Sequence, residues 1–173
     1  MIRGKNVTLR TVRESDLDTL FDLLSDVQNR GEYVAWDLPT QAGHQKQFQE
    51  NGFWGDHQGI LLISASDQIV GTIAFIHVGC HDALEIGYAV FDEAHRRKGY
   101  ATEALSLFTK YLFSTKRINR LQVSIDPANT PSIRIAEKCG FVFEGVMRGA
   151  VFSHGAYRDA QLHSLLRSEA DCL

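Results

Sequence analysis

Cysteine and proline are both scarce in this sequence, three of each in 173 residues. Cys80, Cys139 and Cys172 are odd in number and share no paired spacing, which argues against a disulfide framework and for a reduced, cytoplasmic setting. Pro39, Pro127 and Pro131 mark no linker, and without a repeat or low-complexity tract the length predicts one domain over residues 1–173. Nowhere do 18 apolar residues run together, and the N-terminal stretch lacks a signal peptide's apolar segment, so no membrane partner is expected. An excess of charge is missing too. Counting 18 Lys plus Arg against 21 Asp plus Glu leaves −3, which speaks against a general polyanion binder and predicts no nucleic-acid partner. Neither Gly-x-Gly-x-x-Gly nor Gly-x-x-x-x-Gly-Lys-Ser/Thr occurs, which removes the dinucleotide and P-loop fingerprints.

What is present is an ordinary globular composition, 44% hydrophobic and 23% charged, whose periodicity alternates between strand and helix. Val7, Leu9 and Thr11 alternate as a strand, and Ser15 or Asp16 can cap a helix with the stripe Leu17, Leu20, Phe21 and Leu24. Residues 39–51 form a weak second helix after Pro39. Ile60 to Ile63 and Ile69 to Val78 flank Asp67-Gln68 as a hairpin, and Ala83 to Phe91 extends it into a meander. Ala101, Ala104, Leu105, Phe108, Tyr111 and Leu112 follow at helical spacing, and Arg120 to Ile125 is a short β run. Thr130 supplies a capping hydroxyl before Pro131 for a helix that stops at Gly140, and Phe141 to Met147 pairs with Tyr157 to Leu165 around Ser153 to Gly155. The order β-α-α-β-β-β-α-β-α-β-β predicts an α/β (α+β) fold, a mixed, mostly antiparallel sheet of about seven strands with helices on both faces.

The richest stretch runs from Leu84 to Leu105, a strand bearing Glu85, then Arg96-Arg97-Lys98-Gly99-Tyr100-Ala101, then the long helix. A turn before a helix start directs free backbone N–H groups and the positive dipole end at one place, which suits a phosphate. Gly99 lets backbone approach it, and the three basic residues add charge at the rim.

These residues carry a family resemblance. Leu84-Glu85-Ile86-Gly87-Tyr88 followed by Arg96-x-x-Gly99-x-Ala101-Thr102-Glu103-Ala104 resembles the acyl-CoA signature of the GNAT superfamily of N-acetyltransferases. Asn129-x-x-Ser132, Ala136 to Phe141, Glu144-Gly145 and the ending Asp159 to Arg167 resemble its RimJ/RimL-like branch, the ribosomal-protein N-terminal acetyltransferases. The match covers Val7 to Arg167, and His163 departs from it where that branch often has tyrosine.

The resemblance implies an acetyl-CoA-dependent enzyme that transfers acetyl directly to a primary amine, either a protein N-terminus or a small molecule, as a monomer or homodimer. It implies that the loop Arg96, Arg97, Lys98, Gly99, Tyr100, Ala101 and Thr102 holds the pyrophosphate. Ala89, Val90 and Phe91 would lie at a splayed strand end beside the pantetheine arm, where a backbone N–H could polarise the thioester carbonyl. Asn129 would bond the pantetheine or organise the turn after Pro127. Glu85, eleven positions before Arg96, is the candidate base, acting directly or through water, or else bonds a neighbouring strand. Ser132, one residue after Pro131, is the candidate acid for the departing thiolate, or a helix-cap serine, with Tyr88 and Tyr157 as rivals. Glu32, Trp36 and Asp37, with Tyr88 and Tyr157, would face the acceptor, and Phe53 and Trp54 follow in the same insert.

Two other classes remain in view. One is a non-catalytic acyl-CoA-binding regulatory module, which the joint presence of Glu85, Asn129 and Ser132 disfavours; the other is a nucleic-acid binder using Arg96 to Lys98, Arg117 and Arg120, which the net charge disfavours. His77, Cys80 and His81 lack a second ligand pair, so no metal is expected.

Overall fold

The computed structural model of the protein describes residues 1–28, 31–34, 38–79 and 82–170. Along the chain lie β1 (Ile2–Arg3), β2 (Thr8–Arg10), α1 (Leu17–Ser25), α2 (Gln41–Asn51), β3 (Gln58–Ala65), β4 (Gln68–His77), β5 (Ala83–Val90) and α3 (Tyr100–Thr115). After them come β6 (Arg120–Ile125), α4 (Thr130–Lys138), β7 (Val142–Ser153), β8 (Ala156–Leu166) and α5 (Arg167–Ala170). The strands make one eight-stranded sheet in the order β1-β2-β3-β4-β5-β6-β8-β7. The expected order holds, and β1 is an addition. Two residues are too few to show a period, and β1 exists because it pairs with Thr8 and Leu9.

The meander β3-β4-β5 forms, with its first turn at Ser66-Asp67 rather than Asp67-Gln68, because Gln68 already pairs with Ala65; Ser66 and Asp67 are both at positive φ (48° and 61°), which suits the right-handed twist of a hairpin. The last hairpin is longer than its apolar pattern suggested, because bulges between Phe143 and Gly145 and between Met147 and Val151 break the alternation without ending the pairing. At the first helix Asp16 does not cap as expected. Its carboxylate is engaged by Arg10 at 2.6 and 2.9 Å and by the Arg13 N–H at 2.8 Å, which tie β2 to the turn before α1.

Helices cover both faces. Ala104, Leu105, Phe108 and Leu112 of α3 are fully buried against Leu9, Ile63, Ile73, Phe75, Leu84, Ile86 and Leu121, while Leu20, Phe53 and Val12 close over Leu62 on the opposite face. Trp54, in the insert expected to face the acceptor, packs against the core instead. Its ring meets Phe75, Phe108 and Tyr111 at 5.3–6.5 Å.

What positions the site is a change of partner along β5. Its parallel ladder with β6 covers only Ala83–Arg120, Leu84–Leu121 and Glu85–Gln122, whereas its ladder with β4 continues to Val90. From Ile86 onward β5 therefore has an open edge. Strand β6 meanwhile runs on with β8 as far as Ile125, so the two central strands diverge from Glu85.

Candidate active site

The Phe91 N–H donates to the Val70 carbonyl at 2.9 Å, and Val90 pairs with Gly71. Antiparallel pairing alternates which residues bond across the ladder, so Ala89 and Phe91 turn their backbone groups to β4 while Tyr88 and Val90 present theirs to the open edge. Of the expected segment Ala89 to Phe91, only Val90 offers an N–H there. Tyr88 adds a second that the sequence reading did not assign, because alternation of backbone direction needs the register. The Val90 carbonyl accepts from Arg96 Nε at 3.4 Å, which fixes one end of the basic loop to this edge.

That loop reaches α3 through three residues at positive φ, Asp92 (56°), Arg97 (61°) and Gly99 (80°). Gly99 is the N-cap of α3 and has no side chain to cap it, so the first-turn amides of Tyr100, Ala101 and Thr102 have no intrahelical partner. A Cβ built on Gly99 meets nothing within 4 Å, so glycine is required by the backbone conformation and by whatever approaches it. Arg97 and Lys98 are exposed at the rim. Glu103, the acidic residue of the first turn, faces aside to the backbone N–H groups of Lys5 and Asn6.

On the other side of the open edge stands the start of α4. Its cap is Asn129 rather than Thr130, with Oδ1 accepting from the Ser132 N–H at 3.2 Å, and Thr130 is the first helical residue. Among the described residues nothing bonds the Asn129 amide nitrogen. Ser132 Oγ lies 2.8 Å from the Tyr88 hydroxyl, which also reaches the Ser132 carbonyl at 3.2 Å. Two of the three candidate acids thus form one pair bridging β5 and α4. Burial pushes the Tyr88 phenol up to about 12, against the pull of its bond to Ser132, so it keeps its proton. Tyr157 is not part of that pair. It is 75% exposed near the tip of the β7–β8 hairpin, its ring edge-on to Phe152.

Glu85 sits on the opposite face, at the last paired position before the strands diverge, half-buried, with Oε2 accepting from Gln122 Nε2 at 2.9 Å. Farther along that face a cleft of roughly 100 Å³ is lined by Ser124, Asp126, Asp159, Arg158, Tyr33 and Glu32. The Tyr33 hydroxyl donates to the Ala128 carbonyl at 3.2 Å, tying residues 31–34 to the loop before α4. Trp36, Asp37, Cys80 and His81 lie outside the described residues, and His77 packs edge-on against His57. A wider hollow of about 570 Å³, where Arg167 holds the carbonyls of Phe113, Lys116 and Ile118, lies at the far end of α3, about 24 Å from its N-terminus at 1.5 Å per residue.

A family model described as an acetyltransferase (GNAT) domain matches residues 6–142. This chain belongs to the GNAT acetyltransferases. The SPbeta prophage-derived uncharacterized N-acetyltransferase YokL of Bacillus subtilis is 28% identical to it over 166 residues, covering 96% of this chain and 93% of YokL. The ribosomal-protein-serine acetyltransferase of Escherichia coli is 27% identical over 106 residues, 61% of this chain and 59% of that protein. Among solved structures, spermidine N-acetyltransferase from Vibrio cholerae in complex with CoA and spermine has a TM-score of 0.81 at 18% identity, covering 95% of this chain and 98% of that one, a likeness of fold. The protein is an acetyl-CoA-dependent acyltransferase. Its residues fit that co-substrate: an uncapped helix start with glycine at positive φ suits a pyrophosphate, and the open edge of β5 offers main-chain partners to an amide-bearing arm.

Sequence reasoning missed the polar residues behind Glu85, namely Gln122, Arg120, Glu144 and Ser164. The available signal was Gln122, a lone amide inside the apolar run Leu121 to Val123.

Proposed function

We propose that this acetyltransferase transfers acetyl directly from acetyl-CoA to a primary amine, as a cytoplasmic enzyme of the RimJ/RimL-like branch acting on a protein N-terminus or a small-molecule amine. The observation that carries the reading is the divergence of β5 and β6 at Glu85, with a carboxylate on one face and the Tyr88–Ser132 pair on the other. Bound acetyl-CoA supplies the activated acyl group and a thiolate leaving group. The amides of Arg97 to Thr102 hold its pyrophosphate, aided by Arg96 and Lys98, and the N–H groups of Val90 and Tyr88, with the amide nitrogen of Asn129, line the path of its pantetheine arm.

An attacking amine must be neutral. At pH 7 deprotonation costs about 1 kcal/mol for an α-amine of pKa near 7.8 and about 4.6 kcal/mol for a lysine-like amine near 10.4. Glu85 takes that proton, directly or through a water, while Ser132, backed by Tyr88, donates to the thiolate from the other face. The acceptor enters beside Glu32, in the cleft where Asp159 stands with Asp126, the latter 3.6 Å from Arg158.

Thiol release from acetyl-CoA, measured with a panel of N-terminal peptides, spermidine, an amino sugar and an amino-acid amide, tests the reading. Turnover with at least one amine is expected, and Glu85→Gln should lower kcat by about 100-fold with acetyl-CoA affinity retained. Wild-type turnover in that variant would give Glu85 a purely structural place.

A further inference from the structure

Glu85 does not stand alone. Its Oε2 accepts from Gln122 Nε2 at 2.9 Å, and the other end of that amide, Oε1, accepts from Arg120 Nε at 3.2 Å. The guanidinium of Arg120 is gripped in turn by Glu144, through Nη1 at 2.6 Å and Nη2 at 2.5 Å, and Ser164 Oγ donates to the same carboxylate at 2.7 Å. One hydrogen-bonded line therefore crosses the sheet from β5 through β6 to β7 and β8. Strand register explains why these residues meet: Glu85 is opposite Gln122, Gln122 is opposite Ser164, Arg120 is two residues from Gln122 on the same face, and Glu144 follows Val142, which is opposite Ser164.

The line has a direction. A carboxamide can turn over, and nothing in its shape decides which end faces which neighbour. Here both neighbours decide it: a reversed Gln122 would set its carbonyl against the Glu85 carboxylate and its NH2 against the Arg120 guanidinium, losing two hydrogen bonds for two repulsions. Gln122 is only 8% exposed, so water does not replace those bonds, and a half-satisfied buried network is worse than none. Glu144, held near 2 first by Arg120 and then by Ser164, stays a carboxylate across the working range, so its grip on Arg120 does not lapse.

We propose that Gln122, oriented by the Arg120–Glu144–Ser164 line, is a positioning residue for the reaction: it holds one oxygen of Glu85 by an N–H bond, fixing the carboxylate where β5 and β6 part and leaving Oε1 for the acceptor amine. This rests on the reading of Glu85 as the base. The groups facing Glu85 are Gln122 on β6 and, across β4, the apolar Ile76 in register with it; the charges on the face are the mutually paired Arg120 and Glu144 toward β7 and, farther along, Glu32, Asp126, Arg158 and Asp159 of the cleft, which leaves Gln122 as the direct partner. Because a hydrogen bond to the charged form favours that form, removing it must make Glu85 easier to protonate.

The test uses the full chain labelled with 13C at glutamate side-chain carboxyls, titrated by NMR without acetyl-CoA, beside kcat and kcat/KM pH profiles with the amine of highest turnover in the panel. Gln122→Leu, close to glutamine in volume, should move the Glu85 titration to higher pH and carry the acidic limb of kcat/KM with it. Its plateau kcat should fall about tenfold through lost aim, while acetyl-CoA affinity by calorimetry stays within about twofold. Gln122→Glu, which keeps the shape and the acceptor for Arg120, should move both further in the same direction, since two carboxyls then share the site. Arg120→Lys, retaining a cation for Glu144 but losing the Nε donor, should move them less, and together these two decide the matter should the leucine variant fail to fold. An unmoved Glu85 titration in the folded variants overturns the positioning role even where Glu85→Gln abolishes the acidic limb and so upholds the base. A limb that survives Glu85→Gln unchanged overturns the base role of Glu85 and with it the positioning role of Gln122, whatever the NMR shows.

Discussion

Two helices begin beside the open edge of β5, and they begin differently. Helix α3 starts at Gly99, in the left-handed region, with no capping side chain, while α4 starts at Asn129, whose carboxamide oxygen occupies the Ser132 N–H. A helix end without a cap forgoes stabilisation, about 1 kcal/mol by comparison with capped ends, and leaves amides open to an outside anion. A capped end holds its first turn in place. Helix α3 accordingly offers its backbone, and α4 offers a side chain, Ser132, held at a set distance from Tyr88. In the proposed reading, one helix start receives charge and the other delivers a proton.

The largest expected effect breaks the first half of that contrast. Gly99→Glu should weaken acetyl-CoA binding by about 100-fold in calorimetry, because a negative side chain at positive φ would meet the pyrophosphate. Gly99→Ala, with open space around its Cβ, should cost stability of about 1 kcal/mol and binding by only a fewfold. Equal losses in the two variants would mean that charge at this end does not matter. Next, Ser132→Ala should lower kcat and kcat/KM together by about 1 to 3 kcal/mol, with acetyl-CoA affinity retained. A thioester with a more acidic leaving thiol should shrink that defect, and a change confined to the acceptor KM would leave Tyr88 as the donor. The smallest effect sharpens the comparison: Asn129→Ala should cost about 1 kcal/mol, lowering Tm by roughly 2 to 4 °C for a chain of this size. Its loss of kcat should be smaller than that of Ser132→Ala, since the cap orients the donor without being it.

Legibility from sequence followed the range of the interactions involved. The apolar stripe of α3 was readable because Ala104, Leu105, Phe108 and Leu112 recur at helical spacing, and all four are buried. The stop of α4 was readable because Gly140 takes φ 82°, where the Ala136 carbonyl accepts from the Phe141 N–H. Asp16 misled because a carboxylate next to a helix start has the same local pattern whether it caps or binds a distant Arg10, and only the β2 geometry decides. Asn129 and Thr130 are both capping residues one position apart, and the difference is a matter of φ and ψ.

The sequence by itself determined the fold class, the order of its elements and the loop Arg96 to Thr102, because those depend on periodicity and on residues adjacent in the chain. Tertiary structure decided which backbone N–H groups of β5 reach the open edge, that Tyr88 and Ser132 share a hydrogen bond across 44 residues, and that Gln122 stands against Glu85 across 37. Such meetings depend on strand register and on where a parallel ladder ends. Both are set by the packing of the whole sheet against α3, and no short window of sequence contains them.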